Sequence, residues 1–217
     1  MAISAGQMPD NPPLAKLYLP TLKVEVAKFW PEASPWSIMA AQVEQESCVS
    51  LKSKRCWNPK VELKTDREYG FGLGQLTITS KFNAFEEVRA MDKSMAGWQW
   101  EDRYNASYQL RAIVLKNRAN YRQMVKYSKD VQSQMAFTIA AYNGGLGGLI
   151  KDRVLCKNTQ GCDPSLWFGH VERTSNKSRT PVKGYGKSFF DINREYVTNI
   201  VNLQPRRAKY VSYMDSM

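Results

Sequence analysis

Histidine is nearly missing from this chain: His170 is the one imidazole in 217 residues. It has no Ser or Cys motif to serve, so it is read as a satisfied surface or core residue rather than a catalytic base. Cysteine is scarce too, with four residues in two local pairs, Cys48 with Cys56 and Cys156 with Cys162. Neither spacing is CxxC, and a zinc site built on one histidine is not expected; no metal or cofactor is read from the chain. The two spacings suit short loop-closing disulfides in an oxidising compartment, whereas free thiols are the default without a secretory signal, and both states stay open. No apolar run approaches the roughly 18 residues of a membrane-spanning helix. The opening MAISAGQMPDNPPLAK has neither a basic n-region nor an apolar h-region, so no secretory signal is read. There is no internal repeat and no low-complexity linker.

The chain is rich in apolar residues and in positive charge. At 43% hydrophobic residues, with six Trp, it can build a substantial core, and disorder is excluded. Lys and Arg number 31 against 20 Asp and Glu, a net charge of +11. Such a surface favours an anionic partner: nucleic acid, an acidic membrane surface or a negatively charged wall polymer. KSKR (Lys52–Arg55) and QPRRAK (Gln204–Lys209) are the densest basic runs. No helix-turn-helix, RRM or zinc motif accompanies them, so no specific nucleic-acid partner is expected.

Taken in order, residues 1–13 read as a flexible arm, 14–203 as one compact, mainly α-helical (α+β) domain with a small β-hairpin, and 204–217 as a basic tail. Leu14–Trp30 has helical spacing, but Pro20 should kink or split it. EYGFGLGQLT, Glu68–Thr77, alternates glycine with apolar residues, as a bulged strand pair would. Its GxGxG spacing is not a phosphate loop. From Ser80 the spacing is helical. One segment places Val131, Met135, Thr138 and Tyr142 on one face before Asn143-Gly144-Gly145 ends it. Ser188–Leu203 should be the last helix, with Phe189, Ile192, Tyr196 and Ile200 on one face and Pro205 as its stop.

The most informative stretch is Ile38–Cys48. Met39, Val43 and Glu46 share a helical face that is otherwise apolar, while Glu44, about 200° round from Glu46, should look towards solvent. A carboxyl at the end of a buried stripe is desolvated, and one still protonated near neutral pH can serve as a general acid. The alternative is a helix-terminal Glu with its head in water.

Three short motifs then occur in an informative order: QES (Gln45–Ser47), GLGQL (Gly72–Leu76) and AYNGG (Ala141–Gly145). Their order and placement resemble the soluble lytic transglycosylases, cell-wall lytic enzymes with a lysozyme-like fold. NREYVTNIV, Asn193–Val201, is similar to that family's final helix but lacks its usual acidic residue, Ile192 or Asp191 standing there. DREYGFGLGQLT, Asp66–Thr77, also resembles goose-type lysozymes, keeping the first of two acidic positions at Asp66 and having Thr77 at the second. The resemblance implies that Glu46 protonates the glycosidic oxygen between N-acetylmuramic acid and N-acetylglucosamine. It implies that Gly72, Gln75 and Thr77 line the sugar cleft, and that Ser47, Tyr142 and Asn143 sit near the acid, orienting it and binding the substrate. In the transglycosylases one Glu suffices, because the muramic acid's own 6-hydroxyl closes a 1,6-anhydro ring. An inverting hydrolase needs a second carboxylate, for which Asp66 is the candidate; its alternative is a turn aspartate.

A non-catalytic peptidoglycan-binding or virion-assembly protein with the same fold is the remaining reading. The expected partners are peptidoglycan strands and anionic wall polymers or lipopolysaccharide, with the chain acting as a monomer. A small basic muramidase-type chain of this kind is similar to bacteriophage lysins, endolysin or virion-associated. Such a protein is made in the host cytoplasm and reaches the wall through a holin-type pore or with the particle.

Overall fold

A computed structural model describes residues 7–48 and 55–216. Lys52, Ser53 and Lys54 of the first basic run lie outside the described residues. The described residues are mainly α-helical with one small antiparallel sheet. Its contacts divide it into two compact units, Met1–Lys116 with Pro205–Met217, and Asn117–Gln204.

In the first unit, α1 (Ala15–Phe29) buries Ala15, Leu19, Leu22, Val26 and Phe29 at helical intervals. Contrary to the expectation of a split, it runs as one helix through Pro20. Pro20 lies on the exposed face, where water can satisfy the carbonyl that its missing N–H leaves without a partner. On the other face the buried Glu25 is gripped by Arg111 through paired contacts of 2.8 and 2.9 Å, the bidentate geometry that a guanidinium favours.

Helix α2 (Ser37–Ser47) is buried on every side from Ser37 to Glu44. The segment read as a basic tail is helix α8 (Pro205–Met214), packed on α2. Pro205 opens a helix rather than ending the chain's order, as proline does at a first helical position; Tyr210 and Met214, one turn apart, are fully buried. This packing overturns the solvent-facing reading of Glu44. Its carboxylate is buried, accepting from Lys209 Nζ at 2.9 Å and from the Tyr210 hydroxyl, with Arg206 at 3.6 Å. A helical wheel cannot reveal a partner that arrives from the far end of the sequence. At the other end of α2, Asp215 accepts from Ser37 N at 2.7 Å, a negative group where the helix dipole is positive.

The sheet has three strands rather than the expected two: β1 (Glu62–Lys64), β2 (Tyr69–Phe71) and β3 (Leu76–Ile78), in that order. Glu62 pairs with Phe71 and Lys64 with Tyr69, while Phe71 pairs with Leu76. Phe71 is buried against Phe85 of α3 (Ala84–Met91) and against Trp98. Asn83 caps α3 by accepting from Phe85 N and Glu86 N, as a short polar side chain does at an N-cap. Helix α4 (Ala106–Met124) follows, and the boundary between the units falls within it.

In the second unit, α5 (Val131–Gly144) packs on α6 (Leu146–Lys157) and α7 (Phe189–Val201). Val131, expected on the buried face, is exposed at the first turn, while Met135 and Thr138 are buried. The buried face of α7 is rotated from the predicted one: Asn193, Tyr196, Val197 and Ile200 are inside, and Phe189 is exposed. His170 Nδ1 accepts from Asp163 N at 3.0 Å, a structural histidine as expected. Both cysteine pairs, Cys48–Cys56 and Cys156–Cys162, are bonded.

Candidate active site

Glu46 lies in the last turn of α2 and is half-buried, in contrast to the fully buried Glu44. Ser47 beside it is fully buried. Its hydroxyl donates to Val43 O at 2.6 Å and accepts from Trp57 N at 2.8 Å. Ser47 therefore holds the helix end to the following segment and does not offer its hydroxyl to a ligand. Cys48, the next residue, is bonded to Cys56, so the end of α2 is tied twice to the chain at 56–57.

Trp57 has φ 62°, a left-handed conformation that costs a bulky residue of order 1–3 kcal/mol. Its surroundings hold it there. The ring is buried, and its Nε1 donates to Tyr210 Oη at 2.9 Å. Tyr210 in turn donates to Glu44. Burial first, and then the Glu44 carboxylate beside it, push the Tyr210 phenol far above its usual range, so it remains a donor at every physiological pH.

Val61, reached from Trp57 through the Asn58-Pro59 turn, accepts from Gly72 N at 2.8 Å and from Gln75 Nε2 at 3.4 Å. The glycine turn between β2 and β3 is thus fastened to the same segment that leaves the end of α2. Gly72 has φ 76°, and a Cβ there would stand 2.5 Å from Gln109 Cδ, so only glycine fits. Gln75 has φ 44° and folds its amide back, Nε2 donating to Gly72 O at 3.0 Å. Thr77 is half-buried and donates to Gln75 O at 3.1 Å. Asp66 stands apart from this turn. It is exposed between β1 and β2, with the three residues of β2, about 10 Å of strand, between it and Gly72.

Tyr142 and Asn143 belong to the second unit, at the end of α5. Tyr142 is half-buried and Asn143 exposed. Asn143 Oδ1 accepts from Asn193 Nδ2 at 2.9 Å, and Asn193 also donates to Ala140 O at 3.1 Å. Arg194 Nη1 donates to Asn193 Oδ1 at 2.7 Å and its Nη2 reaches Asp152 at 3.0 Å, where Lys177 makes a second ion pair at 3.0 Å. Burial opposes the charge on Asp152, but the Lys177 and Arg194 cations outweigh it and hold the carboxyl below its usual range. Gly144 is small for a reason: a Cβ would lie 2.9 Å from Asn193 Nδ2 and 3.0 Å from Lys177 Cε.

Sequence reasoning missed Trp57, Gln109 and Tyr210. Gln109 is a buried polar residue of α4. Its Oε1 accepts from Leu73 N at 2.8 Å, and its Nε2 donates to Pro59 O at 2.9 Å and Arg103 O at 2.7 Å. Its place beside Leu110 on the apolar face was the available signal; nothing in the pattern marked Trp57. No family model and no curated protein matches this chain. Among the described residues no group of His, Cys, Asp and Glu could hold a metal ion.

Proposed function

We propose that the protein is a peptidoglycan-degrading enzyme of lytic transglycosylase type, with Glu46 as the single general acid and base. The observation that carries this reading is where backbone strain sits. Among the described residues, the two non-glycine positions with positive φ are Trp57 and Gln75. They begin and end the structure that joins the helix bearing Glu46 to the glycine turn. Strain of this kind persists where function needs a fixed geometry.

In this reading Glu46, half-buried at the end of a buried helix, gives its proton to a glycosidic oxygen. It then takes the proton of the muramic acid 6-hydroxyl as that oxygen closes on the anomeric carbon. This scheme uses one carboxylate; water activation would need a second about 6.5–9.5 Å away across the bond, for which Asp66 is the candidate. The two bonded cysteine pairs suit work in an oxidising compartment, as at a cell wall.

The test is mass spectrometry of soluble fragments released from purified peptidoglycan by the wild type and by Glu46→Gln. Anhydro-muropeptides from the wild type alone, each lighter than a reducing end by one water, are the expected result. Reducing ends instead would make it a hydrolase and return Asp66 to the mechanism. No fragments from either protein would end the enzyme reading.

A further inference from the structure

Outside these residues the first unit carries a second, differently built polar cluster. Glu62 is an exposed glutamate on strand β1. A surface carboxylate ordinarily faces water, yet Glu62 Oε1 accepts from two phenols, Tyr69 and Tyr104. Arg103 Nη2 donates to Tyr104 Oη at 3.1 Å. Its guanidinium lies between two rings, 4.7 Å from the centroid of Trp100 and 4.4 Å from that of Tyr104. Trp100 is 38% exposed. Beneath it Phe71 and Phe85 stand edge-on at 5.5 and 5.4 Å, packed in turn on the buried Trp98. The indole and the Arg–Tyr–Glu chain are therefore held on a rigid aromatic base, with both phenols on Oε1 and Oε2 left to accept from outside. The phenolic hydrogen bonds keep Glu62 ionised below the usual carboxylate range.

We propose that Trp100, Arg103, Tyr104, Tyr69 and Glu62 form a glycan-binding platform. The chemistry of the ligand follows from the set. The indole, 38% exposed with the guanidinium laid against it, offers an apolar edge, while the guanidinium donates and a carboxylate oxygen accepts. The positive charge of Arg103 is set against Glu62, and a carboxylate at the centre of the cluster repels phosphate. A neutral sugar, with one C–H face and a rim of hydroxyl and N-acetyl groups, satisfies all three features. The choice of N-acetylated glycan rests on the function proposed above; the platform would hold the strand apart from the residues that cut it.

The test measures binding of soluble N-acetylglucosamine tetramer to the full-length chain by calorimetry and tryptophan fluorescence. Glu46→Gln is the reference, with Trp100→Ala, Glu62→Ala and Tyr104→Phe added singly. Loss of a stacking ring should weaken binding about five- to tenfold, and loss of the charged acceptor about tenfold or more. If Trp100→Ala melts early because it leaves Phe71 and Phe85 uncovered, the two surface changes carry the test. Affinity unchanged within about twofold in Glu62→Ala and Tyr104→Phe, or no binding by the reference protein, overturns the proposal. Fragment release from peptidoglycan, measured in parallel, separates the two readings. Release that depends on Glu46 with indifferent platform variants refutes the platform alone. Platform-dependent binding with no release refutes the enzyme alone.

Discussion

Two glutamates two residues apart on α2 should respond oppositely to the same substitution. Glu44→Gln removes a negative charge whose side chain is 1% exposed and leaves Arg206, 11% exposed, and Lys209, 26% exposed, facing an amide. Breaking a buried ion pair from one side costs about 3–5 kcal/mol. Lys209 can turn to water and Tyr210 can still donate to the amide oxygen, so a loss of about 2–4 kcal/mol is expected. At the slope usual for a chain of this size, that lowers the melting temperature by about 5–15 °C. Glu46→Gln alters a half-buried residue at the helix end and should change stability by no more than about 1 kcal/mol, while abolishing fragment release. Circular dichroism melts of both variants, with fragment release assayed below their transitions, make the comparison. A Glu44→Gln protein that melts with the wild type would refute the reasoning, because it would mean that α8 does not depend on that charge.

Further outcomes follow from the same contacts. Gly72→Ala should destabilise by about 2 kcal/mol or more, since the new Cβ meets Gln109 Cδ at 2.5 Å and φ is 76°; a urea melt reads it. Gln109→Leu keeps the volume but leaves Leu73 N without its acceptor, so hydrogen exchange at Leu73 should accelerate while the α1 core amides hold. Asp152 has its pKa lowered from 3.8, so its contribution to stability is present above that value and is lost as pH falls through the lower folded one. Asp152→Asn should cost about 3–5 kcal/mol at neutral pH and flatten the acid limb of the stability profile. Replacing Cys48 and Cys56 together by Ala should cost about 2–3 kcal/mol from the freed loop entropy, read from melts with and without reductant.

The helices were legible in the sequence because their buried faces repeat at 3.6 residues, and Pro20 misled only because its exposure on the wheel was not weighed. The glycine turn was legible because glycine has few other reasons to alternate with Phe and Leu. What escaped was whatever depends on residues distant in sequence. Glu44 looked like a solvent-facing charge because its partners lie on α8. The α7 face was placed slightly off, with Tyr196 and Ile200 right and Phe189 wrong, because Asn193, a polar residue, is among those buried. Ser47 was assigned to a ligand because its two backbone partners, Val43 O and Trp57 N, leave no mark on composition.

The return of α8 to α2 also sets an order of events in time. Lys209 and Tyr210 lie 165 and 166 residues beyond Glu44. At about 5–20 residues per second a ribosome needs roughly 8–30 s to cover that interval. Until then Glu44 lacks its Lys209 and Tyr210 partners, and Trp57 lacks the Tyr210 phenol. Residues 117–204 are made meanwhile and form a contact-dense unit of their own. The first unit is therefore completed after the second although it begins first, and the geometry around Glu46 gains its support from Tyr210 only once α8 has been made.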